Sequence, residues 1–425
     1  MVSKQYPRLG ETVFHEILEN GLHVYVDRRR DFQKSYAFFA TNYGGMDMRF
    51  RLDGEWKNTP AGVAHFLEHK MFDTEDGNAL QDLAANGASP NAFTSSAITG
   101  YFFESTEKFF DNLKILLSFA SIPYFTQESV DKEQGIIGQE IRMVEDDPDN
   151  QVFYALMECL YDHHPIRVPI AGTQASIAKI TAGTLYSCHK AFYTPANMVL
   201  TVAGDVDPAK VCEIAREILP AEPGHAIDRD YGGEEALEAA CGEKTLTMEV
   251  STPIFQLGFK ADPARRGEEW LRRTLAGELA CEVLLGSSSP LYAKLYSEGL
   301  INKNFGYGFE LYPGCALMAA GGESKDPQKV RDAVLAEGER LAREGVDPAL
   351  FSRVKKGVYG AKVRSLNSFE NVCIELAQSH FAGVEYFRFP EVFDSITLAD
   401  VEACIRSWVT PGRCGLAVVR PGEAS

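Results

Sequence analysis

The stretch ITAGTLYSCHKAFYTPANMVLTV, residues 180–202, lies without a gap over ITLADVEACIRSWVTPGRCGLAV, residues 396–418. Ile180 pairs with Ile396, Thr181 with Thr397, Cys188 with Cys404, Phe192 with Trp408, and Thr194-Pro195 with Thr410-Pro411. Each copy reads as a helix, a proline-marked turn and a strand that closes one half of the chain. Shared polar and proline positions make chance a poor account of the match. The chain is therefore read as two homologous α+β domains, 1–220 and 246–425, each a mixed or antiparallel sheet with helices packed against it. Between them AEPGHAIDRDYGGEEALEAACGEKT, residues 221–245, is rich in Gly, Glu and Ala, as a linker should be. The length of 425 residues agrees, being too great for one ordinary core.

The two halves differ in one place that carries chemistry. AGVAHFLEHKMF, residues 61–72, reads as a helix on which His65 and His69, four apart, share a face and can present ring nitrogens to one cation. Glu68 shares that face and can reach a water on the metal, which gives the inverted zincin pattern H-x-x-E-H. Downstream, SVDKEQGIIGQEIRMVEDDP (129–148) is a second helical pattern, ended by Pro148. Glu133 and Glu140 lie two turns apart on it, and Ile136, Ile137 and Ile141 are the apolar residues that could seat it against the first helix. Helix glutamates are usually solvated. Beside the histidine pair, Glu140 is read as the third ligand that a catalytic zinc requires, with Glu133 behind it. In the second half the corresponding segment is LAGELACEVLLG (275–286), where Ala280, Val283 and Leu284 replace His65, Glu68 and His69.

HFLEHKMF, then NAFTSSAITGYFFE (91–104), then KEQGIIGQEI (132–141) resemble the pitrilysin family of zinc peptidases in order and approximate spacing. HHPIRVPIAGT (163–173), FYTPANMVLTVAGD (192–205) and SSSPLYAKLYSEGL (287–300) are also similar to family segments, so the resemblance covers nearly the whole chain. It implies Zn²⁺ held by His65, His69 and Glu140, Glu68 as general base, and Glu133 as an auxiliary catalytic glutamate. It implies two such halves forming one shell of a clamshell that encloses peptide substrate. The segment Asn91-Ala92-Phe93-Thr94 is compatible with an edge strand, and in the family such an edge pairs with extended substrate, which points to Asn91, Ala92 and Phe93 as substrate-binding. An ordinary half-buried strand is the alternative for Asn91 and Phe93.

One segment departs from the family. Where pitrilysin-like assemblies offer an Arg and a Tyr toward the zinc, this chain has Tyr296 and Asn302. Losing an oxyanion donor typically costs about 10²–10³ in rate. The expected partner is therefore a related chain lacking the zinc motif but carrying that pair, with a homodimer using Asn302 or Tyr307 as the competing view.

Composition narrows the classes further. With 42 basic and 60 acidic side chains the net charge is −18, which argues against nucleic acid and anionic membrane as partners. Nine scattered cysteines without a C-x-x-C pair read as small buried residues in a reducing compartment. No apolar signal core or spanning stretch is evident, so a cytoplasmic protein is expected. Asp162-His163-His164 is read as a structural loop, SSSP (287–290) as a turn and helix start, and His15, His23, His189, His225 and His380 as surface or packed histidines. The expected function is a zinc metalloendopeptidase, with a catalytically silent scaffold subunit as the alternative.

Overall fold

The computed structural model describes residues 1–75, 77–224 and 227–422; His225 lies outside the described residues. In chain order, strands β1 (Val2–Tyr6), β2 (Glu11–Ile17), β3 (His23–Arg28) and β4 (Ser35–Thr41) precede a hairpin, β5 (Arg49–Leu52) and β6 (Glu55–Asn58). Helix α1 (Val63–Met71), the short pair β7 (Asp73–Thr74) and β8 (Gly77–Asn78), and α2 (Ala79–Ala85) follow. Next come β9 (Ser89–Thr94), β10 (Thr99–Ser105), α3 (Phe109–Ser121), α4 (Gln127–Asp146), α5 (Pro148–Leu160), α6 (Gln174–Ile177), α7 (Ala182–Phe192), β11 (Met198–Gly204) and α8 (Pro208–Ile218). The later part holds β12 (Glu243–Met248), β13 (Ile254–Ala261), α9 (Glu268–Leu285), β14 (Gly306–Tyr312), β15 (Cys315–Glu323) and β16 (Cys414–Pro421), together with further helices.

The chain forms two compact units, neither of them continuous in sequence. The first comprises Met1–Ile141, Val168–Tyr231 and Val363–Arg388; the second comprises Arg142–Arg167, Gly232–Lys362 and the chain from Phe389. In the first unit a seven-stranded sheet runs β1-β2-β3-β11-β4-β10-β9. In the second a five-stranded sheet runs β12-β16-β13-β15-β14. The shared part has one topology. The strand of the sequence repeat, β11 or β16, lies parallel to one neighbour (β3 or β12) and antiparallel to the other (β4 or β13). Two further antiparallel strands, β10 and β9 or β15 and β14, complete the shared five, and β2 and β1 extend the first sheet beyond β3. These are mixed sheets with helices against them, as the repeat predicts.

The repeated residues explain why both copies fold alike. Thr181 and Thr397 are N-caps of α7 and of Leu398–Trp408, each accepting from the backbone N–H three residues on and completing a reciprocal capping box. Pro195 and Pro411 each open a single 3₁₀ turn, where a missing N–H costs nothing. The strand that follows is buried throughout in β11 and over most of β16.

A large core in the first unit gathers Phe39, Phe66, Leu67, Tyr101, Leu113, Ile137 and Leu200 between the sheet and its helices. A smaller cluster on Phe38, Val199 and Ala203 is completed by Phe369, Cys373 and Ala377 of the helix Phe369–Phe381. That helix comes from the C-terminal part of the sequence yet belongs to the first unit. In the second unit α5 crosses β13 and β16 closely. A Cβ on Gly258 would stand 2.8 Å from Leu160 Cδ1, and one on Gly415 3.0 Å from Cys159 Cβ, so glycine is what allows this approach. Pro148 does not merely end α4: it is the first residue of α5, capped by Asp147. The segment read as a linker runs into β12 from Glu243 on. Among the described residues no helix is long and apolar enough to cross a membrane.

Candidate metal centre

Helix α1 starts at Gly62, whose φ of 95° is a left-handed conformation that side chains resist. A Cβ there would also lie 2.6 Å from the Ala171 carbonyl oxygen. Val63, Phe66, Leu67, Lys70 and Met71 form the buried stripe, at positions i, i+3, i+4, i+7 and i+8. His65 and His69 stand beside that stripe on the next face, with ring centroids 4.6 Å apart. Helix α4 is seated by Val130, Ile137 and Ile141, which are buried. Ile136 is the exception to the expected seating: it is 54% exposed, since consecutive residues on a helix point about 100° apart.

The two helices bring one set of donors together. His65 Nε2 is 3.4 Å from Glu140 Oε1, and His69 Nε2 is 3.6 Å from Glu140 Oε2. His65, His69 and Glu140 each offer a ligand atom within 4.8 Å of the others, and among the described residues they are the one such trio able to hold a metal ion. His69 Nδ1 lies 3.2 Å from Glu133 Oε1. That contact fixes the proton on Nδ1 and leaves the Nε2 lone pair facing Glu140, the tautomer a metal ligand needs. The His65 bond holds the Glu140 carboxyl below its ordinary range, so it is available as an anion. Burial works to raise Glu133, but the His69 bond and Lys70 outweigh it and keep Glu133 ionised. For His69, burial lowers the pKa and the carboxylates of Glu133, Glu68 and Glu140 overcome it, a net rise. Two imidazole nitrogens and one carboxylate oxygen are a donor set suited to zinc with a position left open.

Glu68 is 8% exposed and accepts a hydrogen bond from the Thr94 hydroxyl at 2.6 Å on Oε2, leaving Oε1 without a protein donor in the hydrogen bonds described. Thr94 ends β9, the outer strand of its sheet. On that strand Ala92 packs with the α1 side of the sheet, whereas Phe93 packs on the opposite face against Phe38 and Phe102. Asn91 is exposed, and its side chain accepts from the Ala92 N–H at 2.9 Å. β9 bonds to β10 along one side only.

Two residues of this environment were given no role in the sequence reading. Thr94 carried a signal, since period-two alternation places it with Ala92 on the helix-facing side of a strand. Lys70 carried a clearer one: it falls in the apolar stripe of α1 and is 2% exposed. Its ammonium bonds Asp73 and stands 3.7 Å from Glu133 Oε2. In the second unit, Ala280, Val283 and Leu284 of α9 are all buried core residues with no donor to offer. The Asp162-His163-His164 loop uses its backbone instead: all three N–H groups donate to the Glu235 carboxylate. Ser289 caps the helix Pro290–Ser297. Tyr296 is 52% exposed, Asn302 donates to Glu323 at 2.9 Å, and the Tyr307 hydroxyl donates to Glu282.

A helix bearing two imidazoles one turn apart, faced by a carboxylate from a second helix beside a sheet edge, defines the class: an α+β protein built like a zinc peptidase. The family model for insulinase (peptidase family M16) matches residues 54–174, and the model for the peptidase M16 inactive domain matches residues 179–358. The chain is 38% identical over 427 residues to the uncharacterized zinc protease YmfH of Bacillus subtilis (strain 168), covering 98% of each. It is 25% identical over 398 residues to the uncharacterized zinc protease ML0855 of Mycobacterium leprae, covering 85% of this chain and 83% of that one. A solved structure of an M16-like peptidase from Alicyclobacillus acidocaldarius superposes with a TM-score of 0.94 at 30% identity, over 99% of this chain and 100% of that one. Pitrilysin shares the fold, with a TM-score of 0.77 at 15% identity over 97% of this chain and 45% of its own length. The chain belongs to the insulinase family, peptidase family M16. The insulinase match spans every residue of the donor set, while the inactive-domain match contains α9 and its apolar counterparts.

Proposed function

We propose that the chain is a zinc metalloendopeptidase that hydrolyses peptides or unfolded segments held in extended form along β9, in a chamber closed by a partner half. The single observation that carries this is the convergence of His65, His69 and Glu140 within 4.8 Å, with Glu68 on the same helix. The names of the relatives support zinc as the metal. When bound there, zinc supplies Lewis acidity toward a peptide carbonyl and toward water. Glu68 takes a proton from the attacking water at Oε1 and returns it to the leaving amine. Glu133 keeps the His69 ring oriented through Nδ1. The free edge of β9 offers backbone groups to substrate at Asn91, Ala92 and Phe93, giving affinity with little demand on side-chain identity.

The partner half is a related chain that lacks the zinc motif. Tyr296 and Asn302 support this, because neither supplies a guanidinium for an oxyanion. A second reading, a silent core subunit, is favoured by the same two residues. A cytoplasmic location fits the nine free thiols.

Zinc content of wild type and Glu140→Gln, with turnover of a fluorogenic peptide by wild type and Glu68→Gln, tests the proposal. Expected are about one zinc per chain, lost on Glu140→Gln, and, measured with the partner half present, a drop of about 10²–10⁴ in kcat for Glu68→Gln with zinc retained. Unchanged turnover in Glu68→Gln refutes the mechanism, and brisk turnover by the purified chain alone refutes the partner requirement.

A further inference from the structure

Two thiols meet in the second unit. Cys159 lies near the C-terminus of α5 and is fully buried, whereas Cys241, two residues before β12, is exposed. They are 82 positions apart in sequence, yet their sulfurs are 3.1 Å apart, closer than ordinary van der Waals contact. The backbones are tied alongside each other: the Cys241 N–H donates to the Cys159 carbonyl at 2.9 Å, and the Ala240 N–H to the Leu160 carbonyl at 3.3 Å. Side-by-side backbones of this kind hold two Cα atoms within the separation a disulfide spans. The other sulfur contacts here are weak ones to carbonyl oxygens, Leu416 at 3.9 Å from Cys159 and Glu243 at 3.8 Å from Cys241.

We propose that Cys159 and Cys241 form a thiol-oxidation site that takes a hydroperoxide as oxidant and closes a reversible intramolecular disulfide. Exposure gives the order of steps. The Cys241 thiolate attacks one peroxide oxygen, the O–O bond breaks, and Cys241 becomes a sulfenic acid as the other oxygen departs as hydroxide or alkoxide and takes a proton from solvent to become water or alcohol. The Cys159 sulfur then attacks the Cys241 sulfur, the S–O bond breaks, and the departing hydroxide takes the Cys159 proton to leave as water. Two thiols are oxidised by two electrons and one peroxide is reduced. Burial, and then the Cys241 contact, push the Cys159 thiol well up, so it waits as a neutral thiol behind its exposed neighbour. The product bond fastens the segment leading into β12 to the end of α5. It draws on no residue of the metal centre.

The full-length chain is treated with hydrogen peroxide, freed of oxidant, denatured and titrated for thiols. Of the nine thiols present before treatment, seven remain after it, and dithiothreitol restores nine. Peptide mapping of the oxidised chain finds the 159–241 link. Cys159→Ser traps Cys241 as a sulfenic acid that dimedone labels, and the exposed-site variant Cys241→Ser keeps its Cys159 thiol through the treatment. Oxidised wild type unfolds at a higher temperature than reduced wild type, and neither variant shows that rise. Retention of all nine thiols, a bond between other cysteines, or dimedone labelling of Cys241 in wild type with Cys159 still free would each overturn the proposal.

Discussion

Replacing Glu235 should loosen the second unit by an amount the structure allows to be worked out. Its carboxylate accepts from the N–H groups of His163 and His164 at 2.7 and 2.6 Å and of Asp162 at 3.2 Å, and it lies 3.3 Å from the Lys260 ammonium. The side chains of Glu235 and Lys260 are only 6% and 4% exposed, so solvent screens the pair little. Burial works to raise Glu235, but the three N–H groups and Lys260 hold it down at about 2, against an ordinary 4.5. That gap corresponds to an upper bound of about 3 kcal/mol of folded-state preference for the carboxylate at neutral pH. Glu235→Ala removes it and leaves a buried ammonium unpaired, for an expected loss of about 3–5 kcal/mol. Glu235→Gln keeps an acceptor and should lose less. The sign with pH follows from the depressed value: the contribution is complete above about 4.5 and fades as pH falls toward about 2. The gap between wild type and Glu235→Ala in urea unfolding should therefore be full at pH 7 and shrink in acid. Amide hydrogen exchange at residues 162–164 gives a local readout, fast in Glu235→Ala. A loss below about 0.5 kcal/mol at pH 7, with those amides still protected, would refute the anchoring role.

Thr94→Val removes the hydroxyl that holds Glu68 at 2.6 Å while keeping the shape of the side chain. It should lower kcat about tenfold with KM and zinc content unchanged, and Thr94→Ser should restore most of the rate; steady-state kinetics with metal analysis decides. Lys70→Met strips a 2%-exposed cation from between Asp73 and Glu133, whose carboxylates are partly solvated, and should cost about 1–3 kcal/mol in denaturant unfolding, with weakened zinc binding measured by chelator competition. His69 has a raised pKa in the metal-free protein, so a proton competes for its ring as pH falls. Apparent zinc affinity should drop by up to about tenfold per pH unit for each proton displaced once pH is below that value. A flat profile between pH 8 and pH 5 would show that His69 holds no metal.

What could be read from the sequence was whatever a short window contains. The Thr caps and Pro-opened turns of the repeat act on neighbouring residues, so the helix–turn–strand units at 180–202 and 396–418 are visible as a pattern in the sequence. The His65–His69 spacing was visible for the same reason. Contacts between distant segments were mostly not, Glu140 beside the histidine pair being the exception, read from its helix and from the family resemblance. Nothing local to Phe369–Phe381 says that it covers the sheet of the first unit, where Thr201 Oγ1 donates to the Cys373 carbonyl across 172 positions. Glu235 sits in a Gly- and Glu-rich stretch that looks like a solvated connector, and the loop it anchors lies about seventy positions earlier. Ile136 and Ile137 are adjacent apolar residues, and only the packed helix distinguishes the exposed one from the buried one.

The two sheets show how one chain keeps a candidate metal-ligating set in a single half. Both carry the same five-strand order with one parallel pair, so the duplicated fold by itself does not make a metal site. The difference lies in a helix. In α1, the face next to the buried stripe carries His65, Glu68 and His69, and a nine-residue helix can spare that face because Lys70, Asp73 and Glu133 balance the charges beneath it. In α9, an eighteen-residue helix, the equivalent positions Ala280, Val283 and Leu284 are 0%, 1% and 0% exposed. Restoring histidines there would bury imidazoles in a packed apolar core without partners, at a cost of about 2–5 kcal/mol each. The second half can therefore serve as a wall or an interface but cannot regain a metal by a few substitutions. A second donor trio of this kind would have to come from another copy of the chain or from a related one.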